Sequence, residues 1–405
     1  MLGKTNITTL TEGAVVTEIE DYNWIQMQSG IYGNFAKAVY ANDYLAAITA
    51  DGTIAYTKDG EVWQTSTLEY EECKLNDIYW DGRRFIIVGN YSFADTTLNK
   101  NYKRGLIVTT LDFSTYEKVE IPNETDLNDN GLGYWISEYF GIYAENSKYY
   151  ILGIKMTKGN VNNSVKETTY LCRFAGNLEN KWGELIIHEF EVLNPLLSVD
   201  NNLNKFMVSC SGRFKNGSST SYINGIYVVN SYEKKEIEIN NSSTNLLTPV
   251  FECKNELYYM RLYSEDNYVL SKVIDSDEKM VLSRDINFGF VDGIYFNSCL
   301  IFLNNHEMMV VKKGENFADK TIDDLIEISP ELTMNCITKA FGQLYIFGNQ
   351  GAILKSSVET NNEEAIVVQT LSAKKALADA KQYTDEKYAT LEARITALES
   401  VLQTE

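Results

Sequence analysis

Residues Ile78–Gly89 read IYWDGRRFIIVG: an aromatic-apolar run, a tight turn at Asp81-Gly82, then a second apolar run. Two such runs joined by Asp-Gly or Asn-Asp form a β-hairpin signal, because those residues accept the backbone that short hairpin turns require. The unit recurs as VYANDYLAAI, IYAENSKYYILG, SVDNNLNKFMVS, VFECKNELYYM, IYFNSCLIFL and KAFGQLYIFG. The turns centre near Asn42, Asp81, Asn146, Asn202, Asn255, Asn297 and Gly342, at spacings of 39 to 65 residues.

A third strand follows each hairpin, often ending in Thr, Ser or Lys, as in GTIAYTKD, GLIVTTLD, NGIYVVNS and GAILKSS. A fourth follows that, as in VWQTSTL, YEKVEI, KKEIEI and KMVLSR. Four strands per repeat of this length is the pattern of β-propeller blades, which bury both faces only by stacking around an axis. The fold predicted is an all-β, seven-bladed β-propeller over residues 30–371, followed by a C-terminal α-helical coiled coil over 372–405. Residues 1–29 form an N-terminal segment. Ring closure needs a strand from one end of the chain, and two compete: Tyr22–Ser29 (YNWIQMQS) and Ala365–Leu371 (AIVVQTL).

Two turns between third and fourth strands share a pattern, Thr57-x-Asp59-x-x-x-Trp63 and Thr110-x-Asp112-x-x-x-Tyr116. They resemble shortened Asp-box turns of sialidase-like and other propellers. In such turns the Asp caps backbone N–H groups and the aromatic packs between sheets. Asp59, Trp63, Asp112 and Tyr116 are therefore read as structural.

In a four-stranded blade, the connections between strands two and three share a face with those between blades. Here these are the long stretches: Tyr91–Arg104, Thr157–Thr168, Gly212–Tyr222 and Asn123–Trp135. They are read as binding loops on a rigid scaffold. Their candidate ligand-binding residues are Tyr91, Phe93, Tyr102, Tyr134, Trp135, Arg213, Phe214 and Tyr222. Rings beside Asn, Asp and Arg offer apolar area and orienting polar groups for a sugar or protein ligand. The bland alternative is that each ring folds inward and pins its own loop.

The composition narrows the functions. A net charge of −20 disfavours nucleic acid and simple adhesion to anionic lipid. No apolar run reaches membrane-spanning length, and the first residues lack a signal-peptide core. The cysteines Cys73, Cys172, Cys210, Cys253, Cys299 and Cys336 form no CxxC pair and read as reduced core thiols of a protein made in a cytosol. His188 and His306 lack ligand-spaced companions, so no metal or cofactor is predicted. The acidic stretch NETDLNDN matches no calcium-loop spacing. Nucleophile and phosphate-loop motifs are absent too. The propeller arginines are Arg83, Arg84, Arg104, Arg173, Arg213, Arg261 and Arg284, without the RIP stretch of sialidases. The expectation is a protein that is not an enzyme.

The chain ends differently. From Ser372 onward helix formers dominate and Gly and Pro are missing. Ser372 suits an N-cap, although Lys375 denies it a capping box. Tyr388, Leu391, Ile395, Leu398 and Leu402 step by three and four, a heptad seam extending back weakly to Leu377. A narrow seam flanked by charges points to self-association, with dimer and trimer both open on the residues alone.

The segment ALADAKQYTDEKYATLEARITALE resembles the A-x-x-Y-T-D-x-K stretch of tail-fibre and baseplate proteins of phages and phage-tail-like particles of Gram-positive hosts. The YTKDGEVW turn is similar to repeats in such proteins. The resemblance implies a homotrimeric, virion-associated protein at the tail or baseplate periphery, made in the host cytoplasm. It would partner other tail proteins and a host-surface glycan or protein. Such fibres usually attach first and bind receptor last, and here the propeller precedes the helix. Either the propeller docks to the particle and the helix carries a further tip protein, or the chain is a shortened one. The alternatives are a sialidase-like glycosidase and a purely structural adaptor.

Overall fold

The computed structural model describes residues 29–359, apart from short stretches mostly between strands, together with Ile7–Thr8 and Trp24–Met27. The chain divides into two compact units, Met1–Val358 and Glu359–Glu405. The described residues belong almost wholly to the first. The predicted helix at 372–405, with Leu377, Tyr388, Leu391, Ile395, Leu398 and Leu402, lies outside them, as does Ala365–Leu371.

The described strands form seven sheets. Sheet 1 contains Phe35–Ala41, Tyr44–Thr49, Thr53–Thr57 and Gln64–Thr67. Sheet 2 contains Lys74–Trp80, Phe85–Asp95, Lys100–Thr110 and Glu117–Lys118. Sheet 3 adds a short strand, Thr125–Leu127, beside the first of Gly133–Glu145, Lys148–Lys158, Val165–Ala175 and Lys181–His188. Sheet 4 spans Glu191–Asn240, sheet 5 Phe251–Ile286 and sheet 6 Asp292–Glu327, each with four strands in antiparallel order. Sheet 7 consists of Met334–Ala340, Gln343–Gly348 and Ile353–Glu359, and then recruits Trp24–Met27 from earlier in the chain, with Ile7–Thr8 parallel at its edge.

That recruitment closes the ring. Trp24–Met27 pairs antiparallel with the 353–356 segment, Trp24 opposite Ser356 and Met27 opposite Ile353. The first long strand of each sheet touches that of the next, and 334–340 touches 35–41. This is a β-propeller, and apolar clusters join sheets 1, 2 and 3 and sheets 5, 6, 7 and 1 in turn.

The core explains why the second strands read as unbroken apolar runs. Side chains alternate across a strand. In sheet 2, Phe85 and Ile87 enter the cluster shared with Tyr44, Ala46 and Ile48 of sheet 1. Ile86 and Val88 enter the cluster shared with Ile142, Tyr149 and Ile151 of sheet 3. Sheet 1 repeats this, with Leu45 and Ala47 packed against Tyr345 and Phe347 of sheet 7. A strand buried on both faces has no polar side to alternate with. Each large side chain fully buried there contributes roughly 1.5–3 kcal/mol.

Two polar devices key one sheet to the next near the axis. Asn76 and Asn335 each sit at a β-bulge of a first strand. Asn76 Nδ2 donates to the Tyr139 carbonyl at 2.8 Å and Asn335 Nδ2 to the Phe35 carbonyl at 2.8 Å. The acceptor in each case precedes a bulge in the following sheet. Asp77 Oδ2 accepts the Ile142 N–H at 3.0 Å, and Asp292 Oδ2 the Ile337 N–H at 2.9 Å. Bulges free these backbone groups from the ladder, and the neighbouring side chain satisfies them.

The turns between third and fourth strands form local cages. Asp59 Oδ1 accepts the Glu61 and Val62 N–H groups at 2.8 and 2.9 Å and the Thr57 hydroxyl at 2.9 Å. Trp63 lies 6.5 Å from Tyr345 and 6.0 Å from Phe347 in sheet 7, centroid to centroid. Asp112 Oδ1 accepts the Ser114 N–H at 3.0 Å, and burial pushes the Tyr116 hydroxyl up to about 12. The residue after each Asp has positive φ, +76° at Gly60 and +63° at Phe113. A Cβ at Gly60 would lie 2.0 Å from the Tyr345 hydroxyl, so glycine is needed there. Phe113 instead inserts its ring beside Tyr56, at 5.1 Å, and its burial offsets the strained backbone.

Candidate functional site

The stretches read as loops are corrected by the strand ladders. In sheet 2 the second and third strands continue to Asp95 and from Lys100, pairing Tyr91 with Arg104 and Phe93 with Tyr102. In sheet 3, Thr157–Lys158 pairs with Val165–Lys166. In sheet 4, Arg213 pairs with Tyr222 and Phe214 with Ser221. Within Asn123–Trp135, Thr125 pairs with Trp135 and Asp126 with Tyr134. These are long β-hairpins, not loops. Their Asn, Asp, Lys and Thr content resembles turn composition, yet ring and polar residues alternate along them, and a sheet's ladder continues beyond its core wherever one side faces water.

Five of the eight candidate ligand residues come together at the end shared by sheets 2 and 3. The Arg104 guanidinium lies 3.6 Å from the Phe93 ring centroid. Tyr102 meets Trp135 edge-on at 5.2 Å. Lys155 Nζ sits 4.1 Å above the Tyr134 ring. Tyr91 lies 5.2 Å from Tyr70, and Lys118 Nζ donates to its hydroxyl at 3.1 Å. Tyr91 and Trp135 are buried, at 8% and 6% exposure, so these two rings anchor the hairpins. Phe93, Tyr102 and Tyr134 are half-buried. Arg213, Phe214 and Tyr222 belong to the sheet 4 hairpin, and their side chains lie outside the described residues.

A small open cleft of about 60 Å³ lies between these sheets, lined by Tyr91, Arg104, Lys118, Glu120, Ile136 and Tyr139 among others. Its floor depends on two glycines. A Cβ at Gly105 would come 2.5 Å from the Tyr139 ring, and one at Gly153 would come 3.0 Å from it. Lys118 and Glu120 form an ion pair across the cleft wall at 2.7 Å. Burial works against the Lys118 ammonium, but hydrogen bonds to Glu120 and Tyr91 outweigh it, and its pKa is raised. Lys74 and Glu138 pair nearby at 2.9 Å.

Arg104, Lys118, Glu120 and Tyr139 were not separable from the background by sequence. Their spacing carries no motif, and only the hairpin register and the sheet 2 to sheet 3 crossing bring them together. The same holds for a second polar group. Burial pushes the Asp77 and Asp292 carboxyls upward, and the Lys37 ammonium opposes this for both. Lys37, Asp77 and Asp292 belong to sheets 1, 2 and 6, so their fields converge at the axis.

The other described candidates for chemistry are structural, and the side chains of His188, Cys210 and Cys253 lie outside the described residues. His306 Nδ1, in the tautomer protonated there, donates to the carbonyls of Leu332 at 3.0 Å and Ser329 at 3.3 Å. Cys73, Cys172, Cys299 and Cys336 are buried free thiols, and burial pushes Cys73 up to about 11. Among the described residues no group of three or more His, Cys, Asp or Glu is placed to hold a metal ion. Arg83 and Arg84 occupy the turn between strands one and two of sheet 2, at the opposite end from Arg104.

No protein-family model matches the chain, and none of the curated proteins matches it. Among solved structures, it is similar to a catalytically inactive virginiamycin B lyase from Staphylococcus aureus, solved with quinupristin. The TM-score is 0.52 at 9% identity, covering 84% of this chain and 100% of that one. It is also similar to the Pan2 WD40 domain of Neurospora crassa, with a TM-score of 0.51 at 7% identity, covering 82% and 92%. One neighbour is an enzyme and the other a WD40 domain. The likeness shows the β-propeller fold alone.

Proposed function

We propose that the chain is a seven-bladed propeller carrying a trimeric coiled-coil stalk. We assign it as a tail-fibre or baseplate-peripheral protein of a phage or phage-tail-like particle. Its role is binding, not catalysis: the propeller presents the hairpin end of sheets 2 and 3 to a host-surface or particle component. The observation that carries this reading is the convergence of Phe93, Tyr102, Arg104 and Tyr134 on two long hairpins. A rigid scaffold with half-buried cations and rings at one end suits recognition. The heptad seam from Tyr388 to Leu402 and its resemblance to tail-fibre segments supply the particle context. Oligomerisation would turn a weak site into an avid one by raising its effective concentration.

A glycosidase would need two carboxylates flanking the substrate bond. Among the described residues the cleft lining contains one, Glu120, and it is held by Lys118. The test is deletion of Ser372–Glu405, followed by particle assembly and binding of the protein to host cells. Both should weaken. Particles and cell binding unaffected by the deletion would refute the stalk role.

A further inference from the structure

Of the two cations that line the cleft, Lys118 and Arg104, only Lys118 has a carboxylate partner among the described residues. Lys118 is matched by Glu120, Lys74 by Glu138, and Lys155 by Glu184 at 3.3 Å. Arg104 has no carboxylate partner among the described residues; its contact is the face of Phe93. A guanidinium stays charged at all accessible pH, and stacking occupies its face while leaving its N–H edge available. Arg104 lines the cleft together with Lys118 and Tyr91, whose ammonium and hydroxyl are hydrogen-bonded to each other at 3.1 Å. The carboxylate in the described lining, Glu120, is paired with Lys118, and Glu138 is paired with Lys74. The described lining of the cleft, with Arg104, Lys118 and Glu120, therefore carries one positive charge in excess, in a chain of net charge −20.

The cleft holds the volume of a few waters, which suits one oxyanion headgroup. A peptide bound to a sheet protein follows an open strand edge or a long groove. This site is instead a headgroup-sized hole between two sheets, with the half-buried rings of Phe93 and Tyr102 on the hairpin beside it. Those are surroundings for a sugar that carries an acid group.

We propose that this cleft is an oxyanion subsite for an acidic saccharide, with Arg104 gripping the ligand's carboxylate or phosphate in its N–H fork. Lys118 and Tyr91 form the wall behind it, and the Tyr139 ring, admitted by Gly105 and Gly153, forms the floor. The inference rests on the binding role proposed above and names the ligand class for that site.

Ligand-observed NMR titration of the full-length protein tests it, at constant ionic strength, with glucuronate, glucose 6-phosphate, glucose and inorganic phosphate. The proposal expects one or both acidic sugars to bind more tightly than glucose and than inorganic phosphate. The two acids tell a carboxylate source from a phosphate source. Arg104→Gln should weaken the acidic sugar by roughly tenfold or more, since a charge-assisted fork is lost. Arg104→Lys should fall between, and Arg83→Gln, at the opposite end of the sheet, should match the wild type. A thermal melt of each variant separates a lost contact from a lost fold. Acidic sugars binding no better than glucose, phosphate binding as well as either acid, or an Arg104→Gln protein equal to the wild type would each overturn the proposal. Cell binding that survives Arg104→Gln would overturn this site while keeping the receptor role. Acidic-sugar binding by a chain that binds no cells would keep the site and remove that role.

Discussion

Trp24→Ala is the sharpest probe of how this ring is held closed. Trp24 is fully buried, in a strand of only four residues that joins sheet 7 beside Ile353–Glu359. Its ring packs in a cluster with Leu344, Ile346 and Leu354 of sheet 7 and with Ile301 and Met308 of sheet 6. Truncating a buried Trp to Ala costs about 3–5 kcal/mol, from lost transfer energy and the cavity left behind. Domains of this kind are stable by only about 5–15 kcal/mol, so the loss is a large share of the total. It should also be local first. With its anchor gone, the Trp24–Met27 strand detaches, and the Ile353–Glu359 edge loses its partner. Native-state hydrogen exchange is the assay, because it resolves opening of one sheet from global unfolding. Amides of Ile353–Ser356 should lose protection by several orders of magnitude, while those of Phe85–Val88 in sheet 2 change far less. The neighbouring Ile25→Ala, half-buried on the other face, should cost only about 1 kcal/mol. Equal effects at the two positions, or unchanged protection at 353–356 in Trp24→Ala, would refute closure by this strand.

Two further perturbations follow from the turns and the axis. Asp59→Ala removes the acceptor of two backbone N–H groups and should lower stability by about 1–2 kcal/mol, read by denaturant unfolding. Backbone hydrogen bonds from Val62 and Glu61 hold the Asp59 carboxyl below its usual value of 3.8, so its contribution is present above that pH and is lost as pH falls through the folded value. The difference between wild type and Asp59→Ala should therefore shrink on acidification below about pH 4. Asp77 and Asp292 behave oppositely. Their raised values mean that the folded state binds the extra protons, so their penalty appears as pH rises through the folded values and vanishes below the unfolded one. Lys37→Met removes the cation that opposes that rise, so melting temperature should drop more at about pH 7 than at about pH 4. A pH-independent drop would show that Lys37 acts by packing alone.

The propeller was legible because its signals are local. Asp81-Gly82 and Asn42-Asp43 mark turns through their backbone preferences, and FIIV or YLAAI mark strands buried on both faces. The hairpin extensions were not legible. Tyr91–Asp95 and Lys100–Arg104 have the polar content of a loop, and the ladder that keeps them extended is a property of the neighbouring strand. The closing strand was half legible: Trp24–Met27 and Ala365–Leu371 look alike as strands, and only the packing of Trp24 against sheets 6 and 7 distinguishes it. At the candidate site, the rings of Phe93, Tyr102 and Tyr134 stood out as aromatics in polar surroundings. Arg104 did not, because a charged residue gains meaning from the partner it lacks, and that is visible only when the surrounding carboxylates have been placed. Asn76, Asp77 and Asp292 were hidden for a related reason. An Asn or Asp in a strand looks like turn punctuation until the bulge it faces in the next sheet is known.

The central claim is that the propeller works as one of several copies held by the C-terminal seam. Light scattering on the purified full-length chain measures this directly. The full-length protein should scatter as three times the chain mass of 46.0 kDa, falling to the single-chain value of the shortened protein when Ser372–Glu405 is removed. A full-length monomer would contradict it, and would mean that the Tyr388–Leu402 stripe does not serve self-association.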